Sequence, residues 1–142
     1  MRTMTDQSTW RHQTRFPTST EEAKRILDGL LAQMSDRGWD EQDVFGVHLA
    51  VEEAMMNAIK HGNQLDPSKQ VFVDLQLLQD QLTITIADEG DGFDPDKVPD
   101  PTDDENLELP SGRGLMLMRS FMNTIDFNER GNQVVMQKRR TQ

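Results

Sequence analysis

Residues 52–63 read Glu52-Glu53-Ala54-Met55-Met56-Asn57-Ala58-Ile59-Lys60-His61-Gly62-Asn63, and the rest of the chain is organised around this stretch. Apolar residues recur through it at three- and four-residue steps, which predicts the end of a helix with one buried face. Glu53 and Asn57 are four residues apart, so they share a face of that helix, and His61 extends the same row. A carboxylate one turn before a carboxamide suits phosphoryl chemistry, as a proton acceptor beside a Mg²⁺ ligand. A solvated helical stripe is the alternative interpretation of the same pair.

Composition limits the classes of function. The chain has 142 residues and a formal net charge of −10, from 25 acidic and 15 basic side chains. That charge opposes sequence-independent binding of DNA or RNA, so no nucleic-acid partner is expected. The chain contains no cysteine, no apolar run long enough to cross a membrane and no apolar signal segment. We therefore expect one domain over residues 1–142, located in the cytoplasm, with residues 1–8 loose.

Hydrophobic periodicity predicts the remaining elements and hence the fold class. The expected order is a strand from Trp10 to Phe16, a helix over about 20–36, the helix from Asp40 to near Gly62, strands over 71–78 and 82–86, a helix after Gly114, and strands over 124–129 and 133–139. This βααββαββ order predicts an α+β fold, a two-layer α/β sandwich with helices on one face of a mainly antiparallel sheet. The terminal Lys138-Arg139-Arg140 is expected to be a solvated end.

Two further motifs are candidate binding segments. The second central strand runs directly into Asp88-Glu89-Gly90-Asp91-Gly92-Phe93, where a strand-end carboxylate can accept a hydrogen bond from an exocyclic amine. A plain hairpin turn is the alternative, while the spacing of acids and glycines does not fit a calcium loop. Ser111-Gly112-Arg113-Gly114 opens a helix, whose unpaired amides attract anions, although an ordinary helix start has the same composition.

Residues 94–110 separate these two motifs and differ from the rest of the chain. They contain seven acids, one lysine, four of the six prolines and three aliphatic residues. Such a stretch cannot pack a core, which predicts a long acidic loop that covers a site.

Together the three segments resemble the GHKL, or Bergerat, ATP-binding fold. Glu53-x-x-x-Asn57-Ala58-x-Lys60-His61-Gly62 resembles its N box, Asp88-x-Gly90-x-Gly92 its G1 box, and Gly112-Arg113-Gly114 its G2 box. The resemblance covers roughly residues 10–140, with 94–110 in the position of the ATP lid. Within this fold, the chain is most similar to bacterial anti-sigma-factor serine kinases of the RsbW/SpoIIAB type.

The resemblance implies roles for individual residues. Glu53 would be the general base, Asn57 the Mg²⁺ ligand and Asp88 the acceptor for the adenine amino group. The remaining expected ATP-binding residues are Lys60, Gly90, Gly92, Gly112, Arg113 and Gly114.

The resemblance also implies an activity and partners. We expect an ATP- and Mg²⁺-dependent serine/threonine protein kinase that sequesters a sigma factor, phosphorylates a STAS-domain antagonist and forms a homodimer. The alternative is a non-catalytic module whose protein binding depends on ATP, and a fragment of a histidine kinase or another GHKL ATPase ranks last.

Overall fold

A computed structural model describes residues 9–90 and 112–141. The elements in chain order are β1 (Trp10–Pro17), α1 (Thr20–Asp36), α2 (Glu41–Met56), a π-helical segment (Asn57–Gly62), β2 (Gln70–Leu77), β3 (Gln81–Ala87), α3 (Gly112–Phe121), β4 (Thr124–Phe127) and β5 (Gln133–Arg139). The order of strands and α-helices is the expected βααββαββ, and the predicted α+β class is confirmed. None of the helices in these two ranges is long and apolar enough to cross a bilayer.

The five strands form one sheet in the order β1-β2-β3-β5-β4, and every neighbouring pair is antiparallel. Alternate residues of β2 and β3 are buried, as a sheet with one covered face requires. These residues pack with the apolar stripes of the helices into a common core. The central members of this core are Leu30, Met34, Val47, Val51, Met55, Ile59, Val73, Leu75, Ile84, Ile86, Met118 and Met136.

The limits of α1 and α2 follow from local sequence. Ser19 Oγ accepts a hydrogen bond from the Glu22 amide at 3.3 Å and caps α1. Gly38 follows this helix with a φ of +79°, a conformation that disfavours other residues. Asp40 Oδ1 accepts a hydrogen bond from the Gln42 amide at 2.8 Å and caps α2.

The helix that carries Glu53 and Asn57, here called the site-bearing helix, differs at its end from the expected α-helix. It continues to Gly62, as predicted, but its last six residues form a π-helix. The Asn63 amide donates to the Ala58 carbonyl, five residues back, at 2.8 Å. A π-helix turns less per residue than an α-helix. The expected row of Glu53, Asn57 and His61 stays a prediction, because no described contact joins His61 to the other two residues.

The C-terminal end of β5 is also more constrained than the sequence suggested. The Lys138 side chain is 17% exposed and its Nζ lies 3.6 Å from Asp43 Oδ1. Arg140 lies over the Trp39 ring at 5.5 Å and donates to the carbonyls of Arg37 and Gln79. The prediction of a solvated end is therefore wrong for Lys138 and Arg140, because both side chains bind α2 and the turns beside it.

Candidate functional site

Glu53 and Asn57 lie where α2 passes into the π-helical segment. Val47, Val51, Ala54 and Ala58 bury the opposite side of the helix, which leaves Glu53 and Asn57 only partly buried. Asn57 is the first residue of the π-helical segment, and its amide donates to the carbonyls of Glu53 and Ala54. The predicted pair is therefore held on a rigid helical support, with one face available to a ligand.

The first turn of α3 packs directly against Glu53. A Cβ atom added at the buried Gly114 would lie 2.6 Å from Glu53 Oε2, far inside normal contact. With the Glu53 carboxylate in this position there is no room for a side chain at residue 114, so a larger residue would require Glu53 to move. The contact joins two of the predicted segments, and it brings the unpaired amides of a helix N-terminus towards Glu53.

Asp88 forms a second close contact at the other end of the π-helical segment. A Cβ atom added at Gly62 would overlap the Asp88 carboxylate, and one added at Gly90 would overlap the Gly62 carbonyl group. Glycine is therefore required at both positions by close approach. The contact joins the segment after β3 to the end of the site-bearing helix, as the three-motif prediction requires.

Burial changes the acidity of Asp88. Desolvation raises the pKa of this carboxyl group from its ordinary 3.8 to about 6, while the Gly90 amide and the charge of Lys69 oppose the rise. The Gly90 amide donates to Asp88 Oδ1 at 2.8 Å. The second carboxylate oxygen has no such bond described, so the group keeps hydrogen-bond acceptor capacity for a ligand.

The helix connects the two contacts. Glu53, Asn57 and Gly62 follow one another over nine residues, a distance on the order of 10 Å along the axis. The Glu53 and Asp88 carboxyl groups are thus held beside opposite ends of one continuous helical element, with the side chain of Asn57 between them. The arrangement fits a ligand with a polar ring at one end and an anionic group at the other.

The remaining predicted residues vary in how far the structure describes them. Lys60 is exposed on the π-helical segment. Gly112 and Arg113 open α3, but the side chain of Arg113 lies outside the described part of the molecule. Gly92 and residues 94–110 also lie outside it, as do residues 1–8. The roles expected of them remain predictions.

Three residues that the sequence did not single out also contact the site. Lys69 influences Asp88 electrostatically. The Asn132 carbonyl accepts a hydrogen bond from the Asp88 amide at 2.9 Å, and its side chain donates to the Gly90 carbonyl at 3.4 Å. Asn63 accepts a hydrogen bond from the Glu89 amide at 2.8 Å. These contacts join residues that are 19 to 44 positions apart in the sequence, so no local pattern could have revealed them.

Within the described ranges, no three His, Cys, Asp or Glu side chains lie close enough together to hold a metal ion, so the histidines there are not part of such a centre. His48 Nε2 lies 3.5 Å from Glu52 Oε2 on the exposed side of α2. His61 Nδ1 is buried, and none of the described atoms forms a hydrogen bond with it.

The fold is that of an ATPase domain of the GHKL type. The sequence matches the family described as histidine kinase-like ATPase domain over residues 16–138. The chain belongs to this family.

Two proteins with similar sequences indicate a more specific group of relatives. The chain is 30% identical over 103 residues to the anti-sigma F factor of Clostridium perfringens, with 69% of this chain and 74% of that protein covered. It is 30% identical over 132 residues to the serine-protein kinase RsbW of Staphylococcus aureus, with 87% and 83% covered.

Solved structures support the same fold. The structure of the RsbU and RsbW domains of Rv1364c from Mycobacterium tuberculosis superimposes with a TM-score of 0.58 at 14% identity, covering 92% of this chain and 32% of that one. The mycobacterial sensor histidine kinase MprB superimposes with a TM-score of 0.52 at 19% identity, covering 91% of this chain and 98% of that one.

Proposed function

We propose that this chain is an ATP-dependent serine/threonine protein kinase that also acts as an anti-sigma factor. The observation that carries the proposal is the pair of glycine-dependent contacts on one helix, Gly114 against Glu53 and Gly62 against Asp88. They provide a proton acceptor beside a helix N-terminus and, one helical segment away, a carboxylate for an adenine amine. The names of the two relatives support the activity and the regulatory role.

Each end of the site has a separate task. Asp88 accepts a hydrogen bond from the adenine amino group, and Gly90 and Gly92 allow the base to approach the backbone. The amides of Gly112 and Gly114, with Lys60 and Arg113, meet the phosphates. Glu53 accepts the proton of the acceptor hydroxyl while the oxygen of that hydroxyl bonds to the γ-phosphorus and ADP leaves.

Mg²⁺ would supply charge neutralisation for the phosphate groups in this protein of net charge −10. The side-chain oxygen of Asn57 is the proposed ligand, because carboxamide oxygens suit this cation. The exposed face of Asn57 and the small neighbours Ala54 and Ala58 are consistent with this role.

The proposed partners are proteins. The chain would hold a sigma factor inactive and phosphorylate a serine or threonine of a STAS-domain antagonist, which would release the sigma factor in a partner-switching cycle. Residues 94–110 would act as the ATP lid. The chain would form a single domain, and two chains would associate as a homodimer in the cytoplasm.

Nucleotide binding is tested first. Calorimetric titration with Mg-ATP is expected to give saturable binding by the parent and none by Asp88→Asn, which keeps an acceptor for Gly90 but lacks the charge. Glu89→Gln, which changes the neighbouring acid, serves as the control and should bind like the parent. Equal affinity of Asp88→Asn and the parent would remove the adenine site from the proposal.

Phosphoryl transfer is tested with γ-labelled ATP and STAS-domain proteins from the same genome. Glu53→Gln should retain ATP binding and lose transfer by about 10²- to 10⁴-fold, the usual contribution of a positioned base. Glu52→Gln is the matched control, because Glu52 is exposed on the same helix turn. Unchanged transfer by Glu53→Gln would refute the role of Glu53.

A second function is a non-catalytic module in which bound ATP only controls protein capture. The same labelling experiment separates the two, since such a module binds ATP and a partner but transfers no label. Pull-down of the STAS-domain protein with and without Mg-ATP then measures the dependence of capture on nucleotide.

A further inference from the structure

Asn63 is an unusual residue for the interior of this protein. Its side chain is completely inaccessible to solvent. Within the described ranges, two polar or charged residues are buried, Asn63 and Asp43. Burial of a carboxamide is unfavourable unless its donors and acceptor are all bonded. The contacts of Asn63 therefore indicate what the burial achieves.

The Asn63 side chain forms three hydrogen bonds to three separate segments. Its Nδ2 donates to the Gln70 carbonyl at 2.9 Å, at the start of β2, and to Thr18 Oγ1 at 3.2 Å, just after β1. Its Oδ1 accepts from the Glu89 amide at 2.8 Å. One side chain thus links the end of the π-helical segment to two strands and to the segment after β3.

The bond to Glu89 is the one that concerns the site. Glu89 lies between Asp88, whose carboxylate covers Gly62, and Gly90, which abuts the Gly62 carbonyl. Asn63 directly follows Gly62, so its Oδ1 fixes the distance between the two segments at the point where both meet. On the other side, Asn132 binds the Asp88 amide and the Gly90 carbonyl.

We propose that Asn63 is a positioning residue for the nucleotide site, which holds the Asp88–Gly90 segment against Gly62 through the Glu89 amide. This inference rests on the proposed function, since it assigns Asn63 to the adenine end of the same pocket. Asparagine suits the position because a single short carboxamide supplies two donors and an acceptor. Aspartate would present oxygen to the Gln70 carbonyl, and alanine would remove all three hydrogen bonds.

The test compares Asn63→Ala with a control variant that disturbs the other side of the same network. Thr18→Val removes the hydroxyl that accepts from Asn63 Nδ2 and donates to the Lys69 carbonyl, but leaves the Glu89 contact intact. Both variants are expected to be less stable than the parent. Only Asn63→Ala is expected to weaken adenosine and Mg-ATP binding, by a common factor of about five to ten, as loss of one positioning hydrogen bond predicts.

The binding result can overturn the proposal directly. If folded Asn63→Ala binds adenosine within twofold of the parent, or if Thr18→Val weakens binding as much, Asn63 has only a structural role. Should Asn63→Ala fail to fold, Asn63→Ser is measured in a Gly29→Ala background, which adds stability far from the site. The serine hydroxyl is too short to reach the Glu89 amide, so the same loss of affinity is expected.

A ligand-free measurement separates this inference from the proposed function. Nuclear magnetic resonance gives the amide exchange rate of Glu89 and the titration midpoint of the Asp88 carboxyl group. In Asn63→Ala, exchange at Glu89 should accelerate and the Asp88 midpoint should fall from about 6 towards its ordinary value, while Thr18→Val leaves both unchanged. A parent that binds no nucleotide, with these two changes present, would refute the proposed function and support the positioning role. Unchanged values in Asn63→Ala would overturn the positioning role whatever the parent binds.

Discussion

Asp88 combines a functional position with an unfavourable environment. Its carboxyl group is partly buried against Gly62, and desolvation raises its pKa to about 6. The proposed hydrogen bond from an adenine amine favours the ionised carboxylate, whereas desolvation in the folded protein favours the protonated form. Residues under such opposing demands are typical of functional sites.

This environment makes the stability of the protein depend on pH. The folded-state pKa of Asp88 exceeds the unfolded value of 3.8, so the folded state binds the proton more tightly. The contribution of this group is therefore most favourable below pH 4 and is lost as the pH rises through about 6. Asp88→Asn should be more stable than the parent at pH 8, by up to about 3 kcal/mol.

Urea unfolding of the two proteins between pH 4 and pH 8 measures this difference. The variant keeps an oxygen that can accept the Gly90 amide, so the comparison isolates the charge. The stability advantage of Asp88→Asn should shrink towards pH 4. An advantage of equal size at both pH values would contradict a desolvated carboxylate.

Sequence reasoning identified some of the site residues and could not identify others. Glu53 and Asp88 were predicted because a carboxylate at helical spacing from an asparagine, or at a strand end before glycines, has a recognisable chemistry. Asn63 lies in the same motif as Glu53, but its partners are Thr18, Gln70 and Glu89. No period or local motif connects those positions, so only the folded chain shows the three hydrogen bonds of Asn63.

At the scale of secondary structure, two glycines in helix interiors have opposite surroundings. Gly29 lies on the exposed side of α1, and nothing lies within 4 Å of a Cβ atom added there. Gly46 lies in α2, where an added Cβ atom would be 2.9 Å from a ring carbon of Phe121 in α3. No contact therefore requires glycine at position 29, where it lowers the stability of α1. Gly46, in contrast, permits the close packing of α2 and α3.

We predict opposite changes in stability on substitution by alanine. Gly29→Ala should raise the free energy of unfolding by about 0.5–1 kcal/mol, since alanine loses less backbone entropy in a helix. Gly46→Ala should lower it by about 1–3 kcal/mol, because the aromatic ring must move. Thermal unfolding of the two variants provides the measurement, with each serving as the control for the other. An equal change in both would mean that helix propensity alone is being measured.

The elements themselves were largely predictable, except for the winding of the site-bearing helix. The α1 stripe, its Ser19 cap and the alternation in β2 and β3 are local patterns, and the structure contains them. The π-helical segment is different, because it is followed by Asn63, which bonds to distant segments, and by left-handed backbone at Gln64 and Leu65. Glutamine and leucine rarely adopt left-handed backbone, so the sequence does not predict it at these positions.

At the scale of the whole molecule, the C-terminal end is tied to the beginning of the site-bearing helix. Asp43 in the first turn of α2 is buried and accepts hydrogen bonds from the Thr141 amide at 2.8 Å and the Thr141 hydroxyl at 2.6 Å. Burial acts to raise the pKa of Asp43, but its bonds to Thr141 and the charge of Lys138 lower it on balance. The contact closes the fold over almost 100 residues of sequence.

Removing this tie should destabilise the whole protein. Asp43→Asn leaves Lys138 without its buried counterion, and we expect a loss of about 1–3 kcal/mol at pH 7. Because the folded-state pKa of Asp43 is lowered, its contribution is present above pH 4 and is lost as the pH falls through the folded-state value. The destabilisation should therefore shrink under acidic conditions, opposite to the trend for Asp88.

Denaturant unfolding at pH 7 and pH 3 checks this expectation. Asp40→Asn is a suitable control, since asparagine also caps helices and Asp40 is exposed. A loss that persists unchanged at pH 3 would show that shape, and not charge, is what Asp43 contributes.

The π-helical segment has one consequence for the permitted length of the chain. A π-helical turn is equivalent to an α-helix that has gained a residue. A further residue inserted between Asn57 and Gly62, where the π-helical turn already accommodates one, would rotate everything downstream by about 100° and advance it by about 1.5 Å. Gly62 would then no longer face Asp88, however well each side chain were kept. The number of residues in this interval is thus as much a part of the binding site as their chemistry.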